Sequence, residues 1–432
     1  MMFIVRDGNT GPDKSSRSFK YYGSNLAVGD ALCNGYVLRS PIPLVQRRSP
    51  KTPFLTQFAR GLPKHRSLPN PGDLYVLKFF DPIPEDANDS TLWNYHAAQQ
   101  SLRSQFLAEC NFMWQTRHPN VARVVDYGYT KMGKTNLYWI AEEYVPGRDL
   151  AEIINCESTC SPDEIDQLCQ QNVIDDDNNL RLDFIAKVLY DITTGLIYLH
   201  SKDLREGTDK SHRFCRNEDV AGDEKKKALT HGDIRPANIV VANVLPRAPL
   251  ETARTLEDEV LVFDNALGTE SITGVLIDMG SANIVGNPGW FQLGSFMYRS
   301  PDVVKRTREL ELGSLPTDVE KTPADRWALG MTLFEMITGQ LPYGIKVKKW
   351  TNSQFPDARE EIFDRIENEP LTLPSDIIDK RRYQMCADPA GAEELFDLLV
   401  RKLLQRNRGV RMPLTKVLQK LEKYKDAYRH AA

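Results

Sequence analysis

No apolar run in this sequence approaches the roughly 18 residues that a membrane-spanning helix needs. Its first residues, Met1-Met2-Phe3-Ile4-Val5-Arg6-Asp7, turn polar too soon for a secretory leader. Neither sign of charge dominates, since 55 Lys and Arg stand against 59 Asp and Glu for a formal net charge of -4. The basic surplus that nucleic acid attracts and the polybasic tail that anionic lipid attracts are both missing, so neither partner is indicated. Cysteine is sparse: seven residues, an odd and scattered set, form no disulfide framework. Cys156, Cys160 and Cys169 fall close together, but no His stands beside them at metal-ligand spacing, and they read as reduced thiols. With 41% apolar and 26% charged residues, what remains is an ordinary globular composition, expected in the cytoplasm.

Along the chain, residues 1–26 are polar and rich in Gly, Ser and Lys, and read as a weakly ordered extension. β-like runs lie at Tyr36–Leu38 and Leu74–Phe80, separated by a Pro- and Arg-rich stretch from Ser49 to Gly72 that predicts a long loop or ragged hairpin. From Ala97 to Thr116 the pattern turns helical, with Leu102, Phe106, Glu109 and Met113 on one stripe, and His118-Pro119-Asn120 ends it. Strands are expected at Val121–Tyr127 and Leu137–Ala141. Helical patterns follow at Leu182–Ser201, Trp327–Thr338, Ala358–Glu367, Ala392–Leu404 and Leu414–Tyr428. This order predicts an α+β fold in two lobes, with strands and one helix over 27–145 and mostly helices over 146–432. Three stretches read as inserted surface excursions: 155–178, with its run Asp175-Asp176-Asp177-Asn178-Asn179; 203–228, with charges of both signs; and 244–272, between two strand-like runs.

The densest chemical signal is Thr230-His231-Gly232-Asp233-Ile234-Arg235-Pro236-Ala237-Asn238-Ile239-Val240-Val241. Phosphoryl transfer to a hydroxyl needs a carboxylate to orient the hydroxyl and take its proton, and an oxygen ligand for a metal close by. Asp233 and Asn238, on one loop ahead of an apolar strand, supply both. Further on, a second apolar strand ends in acid, Gly274-Val275-Leu276-Ile277-Asp278-Met279-Gly280, placing another carboxylate where it can reach Mg²⁺.

These two segments resemble the His-Arg-Asp…Asn catalytic loop and the Asp-Phe-Gly metal motif of protein kinases. Other segments extend the resemblance over about residues 27–425. Tyr75-Val76-Leu77-Lys78 resembles the strand whose Lys holds the ATP phosphates, and Glu109 falls where the family pairs a helix Glu with that Lys. Ala141-Glu142-Glu143-Tyr144-Val145-Pro146-Gly147 resembles the hinge whose backbone binds adenine. Gly294-Ser295-Phe296-Met297-Tyr298-Arg299-Ser300-Pro301-Asp302 resembles the end of the activation segment, Asp325-Arg326-Trp327-Ala328-Leu329-Gly330 the start of the large central helix, and Arg411 the Arg that pairs with the acid at Asp302.

The resemblance implies a Ser/Thr protein kinase using ATP with Mg²⁺, or Mn²⁺ in its place. Asp233 would be the base, Arg235 the cation at the γ-phosphate and Ser295 the contact to Asp233, with Lys78 and Glu109 completing the phosphate clamp. Asn238 and Asp278 would hold the metal, and Val76, Glu143, Val145 and Val240 would line the adenine site. The partner implied is a protein with a Ser or Thr acceptor, and the inserts could bind a further protein. The chain also departs from the pattern. Between Tyr36 and Arg60 there is no Gly, although the family covers the phosphates with a Gly-rich loop expected here over Arg39–Gln46. Gly232 replaces the usual Arg, Met279 the usual Phe, and Glu142 falls where the pocket behind adenine is gated, so that if buried it must be paired or protonated. Two other readings stay open: a scaffold with weak or no turnover, and a kinase acting on a small molecule or nucleic acid.

Overall fold

The computed structural model describes residues 116–201 apart from 133–134, 229–244, 272–278, 283–284, 296–311, 322–345, and 355–424 apart from 385 and 387, with the strands up to Phe80 named below. Strands β1 (Ser18–Tyr21) and β2 (Ser24–Ala27) pair as an antiparallel hairpin, so the polar extension expected over 1–26 holds regular structure. A larger antiparallel sheet contains β3 (Val37–Leu38), β4 (Val45–Gln46), β5 (Phe54–Arg60), β6 (Leu74–Phe80), β7 (Val124–Met132) and β8 (Thr135–Glu143). Its order is β3-β5-β6-β8-β7, with β4 also on β5. Consecutive residues Trp139, Ile140 and Ala141 are all buried, which means that both faces of β8 are covered, and this explains its unbroken apolar run.

The edge of this sheet corrects one expectation. β3 and β4 both pair with β5, through Val37 opposite Arg60 and Val45 opposite Thr56. Residues 39–44, between the two, lie outside the described residues; Pro41 and Pro43 there have no N–H to give a ladder. The Arg39–Gln46 segment expected to cover the phosphates thus includes β4, which is joined to β5 by the stretch 47–53, outside the described residues. That stretch too lacks glycine.

Beyond β8 come β9 (Gly147–Asp149), α1 (Leu150–Ile154), α2 (Cys156–Thr159), α3 (Pro162–Gln170) and α4 (Leu182–Ser201). The stretch 155–178 is no solvated excursion. Cys156, Leu168, Val173 and Ile174 are at most 2% exposed, and Ser161 with Glu164 forms a capping box on α3. Its acidic run makes a turn, in which Asp175 Oδ1 accepts from the backbone of Asp177 at 3.0 Å and Asn179 at 2.9 Å. The expected insert at 203–228 lies wholly outside the described residues, and that at 244–272 does so apart from Val244 and Ile272.

Four short strands, β10 (Leu229–Thr230), β11 (Ile239–Ala242), β12 (Thr273–Leu276) and β13 (Asn283–Ile284), carry the candidate site. β11 is the middle of a three-stranded sheet between β12 and β9, and β10 pairs with β13. Helices α5 (Pro301–Glu311), α6 (Thr322–Thr338), α7 (Phe355–Asn368), α8 (Arg381–Gln384), α9 (Pro389–Leu403) and α10 (Leu414–Leu421) follow. α6 buries Trp327, Leu329, Met331, Leu333, Phe334 and Ile337, which point all round its axis, so it is the core helix about which the rest pack. Helix and sheet are thus mixed, strands first and helices after, as α+β requires. Among the described residues, no helix is long and apolar enough to cross a membrane.

Candidate active site

Asp233 lies on the loop between β10 and a 3₁₀ turn at Pro236–Asn238. The Asn238 amide donates to both the backbone carbonyl and the Oδ2 of Asp233, at 2.8 Å each. Arg235 Nε donates to the same Oδ2 at 3.2 Å. Two donors from opposite sides of one short loop fix the carboxylate's rotamer, and Pro236 stiffens the turn between them. Asn238 is 1% exposed, and its N–H groups are spent on Asp233, so the amide oxygen is the atom it can offer a ligand.

Asp278 lies two residues past the end of β12, a strand held beside this loop by two ties. β11 and β12 pair through Ile239 and Leu276, and Ile277 N–H donates to the Asn238 carbonyl at 3.0 Å. From the other side, the Asn120 amide donates to the Gly274 carbonyl at 2.9 Å, and Ala122 N–H to the Leu276 carbonyl at 2.8 Å. His118-Pro119-Asn120 is therefore more than a helix stop, because it positions the acid-bearing strand. Asp278 adopts φ +61°, a left-handed conformation that costs a non-Gly residue energy and collects at sites of function. A carboxylate and an amide oxygen on neighbouring backbones form a hard oxygen set of the kind Mg²⁺ takes, so these residues fit a metal bridging phosphates.

His231 is fully buried behind the loop. Its Nε2 faces the Ile277 carbonyl at 3.1 Å and its Nδ1 accepts from Asp233 N–H at 3.3 Å. That pattern requires the neutral Nε2–H tautomer, and burial accordingly holds its pKa below the ordinary histidine value. Asp325, in the first turn of α6, accepts from His231 N–H and Gly232 N–H at 2.9 Å each and meets His200 Nε2 at 2.9 Å. Burial alone would raise the Asp325 carboxyl. The hydrogen bond and charge of His200, with His231 and the Gly232 N–H, outweigh it and hold the group below its usual range. Gly232 has φ +82°, where a side chain would strain the backbone.

Sequence reasoning used Asp325 only to mark a helix and gave it no part in the site. It also missed the buried pair of Tyr298 and Glu335, in which the phenol donates to the carboxylate. Burial raises Glu335 to about 7, opposed by the Tyr298 hydrogen bond and by Arg235, whose charge ties this pair to the catalytic loop. Asp302 and Arg411, expected to meet, form an ion pair.

The remaining candidates divide by position. Val240 is buried on β11, Val76 is half-buried on β6 opposite Glu142, and Val145 is half-buried in the connection to β9. The Glu143 side chain is exposed and its N–H is spent on the Arg123 carbonyl at 2.9 Å, so it has its backbone carbonyl to offer. Lys78 stands in β6 opposite Ile140, with its side chain outside the described residues. Glu109, Ser295, Met113 and Met279 also lie outside them. Among the described residues, no three His, Cys, Asp or Glu side chains gather as a metal site, and Cys156, Cys160 and Cys169 form no disulfide.

Comparison with known proteins agrees with this geometry. Residues 225–421 match the protein kinase domain family, and residues 92–205 match the protein tyrosine and serine/threonine kinase family. Serine/threonine-protein kinase TOS3 of Saccharomyces cerevisiae is 24% identical over 237 residues, covering 54% of this chain and 30% of its own length. SNF1-activating kinase 1 of the same yeast is 25% identical over 193 residues, covering 44% of this chain and 15% of its own length. Serine/threonine-protein kinase GRIK2 of Arabidopsis thaliana is 22% identical over 298 residues, 68% of this chain and 51% of the relative. The chain thus covers less than two thirds of the length of each of these relatives. The first match takes in the Asp233 loop, β12 and α6, the second most of the chain before them from Leu92, and together they carry one conclusion: the chain belongs to the protein kinase superfamily.

Proposed function

We propose that the chain is an ATP- and Mg²⁺-dependent protein kinase that transfers the γ-phosphate to Ser or Thr hydroxyls. The supporting observation is the Asp233 carboxylate, held by Asn238 and Arg235 beside the strand that leads to Asp278. Asp233 orients the acceptor hydroxyl and takes its proton as that oxygen bonds to the γ-phosphorus. The bond to the β,γ-bridging oxygen breaks, and ADP leaves. Arg235 neutralises the oxygens in transfer while steadying Asp233. Asn238 and Asp278 would hold Mg²⁺, which would supply positive charge against that of the phosphates. Lys78, paired with Glu109, contacts the phosphates; Ser295 contacts Asp233 and favours a Ser/Thr acceptor. Val76 above and Val240 below enclose adenine between the two lobes, with the Glu143 and Val145 backbones as its hydrogen-bond partners. The substrate is a protein, the compartment the cytoplasm, and residues 203–228 and 244–272 are available to a further protein partner.

A missing glycine favours one rival. Without Gly between Tyr36 and Arg60, the backbone there cannot approach phosphate oxygens as closely as a Gly-rich loop does, which suits a scaffold of low turnover. Incubation with γ-labelled ATP, Mg²⁺ and a generic protein acceptor separates the two. Label on Ser or Thr of the acceptor, lost in Asp233→Asn and Asp278→Asn variants that still fold, is the expected result. No transfer by the folded wild-type chain supports the scaffold.

A further inference from the structure

Helix α4 is closed in on most sides, with Ile185, Val188, Leu189 and Ile192 fully buried, yet it carries an ion pair in its interior. Lys187 and Asp191, one turn apart, are 8% and 7% exposed, and Lys187 Nζ donates to Asp191 Oδ2. A buried pair of this kind adds little stability over apolar residues of the same volume, because desolvation offsets the attraction. Its distinguishing contact lies outside the helix. The same Asp191 Oδ2 accepts from Gly274 N–H on β12 at 2.9 Å. Helix and strand touch at this point: a Cβ on Gly274 would lie 3.2 Å from the Val188 carbonyl oxygen and 3.4 Å from Asp191 Cβ. With no side chain at 274, one as short as Asp reaches the backbone of the strand. β12 is an edge strand of its sheet, and its backbone groups on the side away from β11 belong to Gly274 and Leu276. The segment Asn120–Ala122 meets both groups of Leu276 and the Gly274 carbonyl. Gly274 N–H goes to Asp191 instead, which fastens the outer edge of β12 to a core helix rather than to a loop. Held by the 120–122 segment alone, the strand could swing with it; the bond to α4 fixes the direction in which the chain runs on to Asp278.

We propose that Asp191 is a positioning residue for Asp278: through Gly274 it sets where β12 lies, and so where Asp278 presents its oxygens to Mg²⁺. Lys187 holds Asp191 Oδ2 in place and supplies the counter-charge that a buried carboxylate needs. The inference rests on the reading of Asp278 as a Mg²⁺ ligand and deepens it. Groups that orient a metal ligand without touching the metal change metal affinity by about tenfold to hundredfold when they are removed.

Two double variants of the full chain separate position from charge. Lys187→Met with Asp191→Asn removes both charges and keeps an oxygen for Gly274 N–H. Lys187→Met with Asp191→Leu removes the charges and the oxygen at nearly the same volume, and Lys187→Met with Asp191→Ala repeats that loss without bulk should Leu not fold. Amide exchange over Thr273–Ile277 is measured without nucleotide, and the Kd for ATP is measured with and without Mg²⁺. The Asn pair should stay close to wild type. The Leu or Ala pair should exchange faster and need about tenfold or more Mg²⁺ to reach the same ATP affinity, with the Kd in the absence of Mg²⁺ unchanged. A general loosening of the fold would weaken ATP binding with and without the metal alike. Equal exchange in the Asn and Leu pairs overturns the inference, and so does faster exchange with an unaltered Mg²⁺ requirement, which leaves the bond a structural one. ATP binding by the folded wild-type chain that does not respond to Mg²⁺ overturns the metal reading along with it.

Discussion

Replacing Arg411 with Ala puts the largest calculable load on the helical part of the molecule. The guanidinium is 2% exposed and all three of its nitrogens are engaged. Nε donates to the Gln405 carbonyl at 2.7 Å, Nη1 to the Pro323 carbonyl at 3.0 Å, and Nη2 to the Arg406 carbonyl at 3.2 Å and to Asp302. Its plane also lies 5.2 Å from the ring centroid of the buried Trp327. One side chain thus joins the start of α5, the start of α6 and the loop after α9. Burial lowers its pKa while Asp302 pushes back, and the group stays charged.

Truncation leaves the Asp302 carboxylate, whose side chain is 16% exposed, without its counter-charge. Breaking one side of a buried pair costs about 3–5 kcal/mol. The orphaned carbonyls and the bared Trp327 face place Arg411→Ala toward the top of that range. At about 2.1 cal/mol/K of unfolding entropy per residue, the change corresponds to a fall of about 3–6 °C in melting temperature. Arg411→Lys keeps the charge but not the fork, and should fall in between. Asp302→Ala together with Arg411→Ala should cost less than the sum of the single changes by about 1–3 kcal/mol. Differential scanning fluorimetry of the wild type and these four variants decides the matter. A melting temperature for Arg411→Ala within about 1 °C of wild type would refute the reasoning, because no buried partner of a charge is lost so cheaply.

Glu335, at about 7 in the folded chain, holds a proton that the unfolded chain releases near its ordinary 4.5, so its contribution is full below 4.5 and is lost as pH rises through 7. Glu335→Gln should flatten the decline in melting temperature between pH 5 and 8, and an unaltered slope would remove Glu335 as its source. A Cβ on Gly147 would lie 2.1 Å from the Val241 carbonyl oxygen, so Gly147→Ala should break the pairing of β9 with β11. Amide exchange at Arg148–Leu150 and at Val240–Ala242 should rise, and protection equal to wild type would contradict it. Asp325→Asn turns an amide donor toward one of two backbone N–H groups it must accept from, and should lower turnover about tenfold or more while the fold survives. Full turnover in that variant would show that the catalytic loop does not need Asp325. Gly232 offers no cation to capture a phosphate between Asp278 and Asp302, so phosphatase treatment should leave activity on an added substrate unchanged, and loss of activity would count against this.

What the sequence made legible is short in range. Asp233 and Asn238 are five residues apart and joined to each other, and Leu74–Phe80 is a strand with the limits expected, so pattern and structure coincide there. Leu182–Ser201 likewise shows its apolar stripe within one helix. What escaped depends on long-range closure. Asp325 binds His231 and Gly232 from 94 and 93 residues away, and Glu335 meets Tyr298 across 37. A lone Asp at a helix start carries no mark of the loop it will hold. The excursion expected at 155–178 failed for a different reason. Its polar residues are a capping box and an Asp-led turn, local hydrogen bonding that composition alone cannot distinguish from solvation. At the sheet edge, the sequence between Val37 and Gln46 does not reveal that β3 and β4 share one partner strand, which only their pairing with β5 shows.

Gly232 ties these threads together. The loop before Asp233 must present two successive N–H groups to one carboxylate, and the backbone does so at φ +82°. A residue with a Cβ pays for that conformation in strain, and Gly does not. In exchange the loop gives up a cation beside the Asp233 carboxylate, so the positive charge nearest Asp233 on this segment is Arg235, already bonded to it. The carboxylate is thus held from within its own loop, by Asn238 and Arg235, and from behind by the His231–Asp325 network. Order at Asp233 then follows from packing against α6, whose fully buried Trp327 and Leu329 make it one of the least yielding elements of the fold. A site braced in this way is set when the core forms.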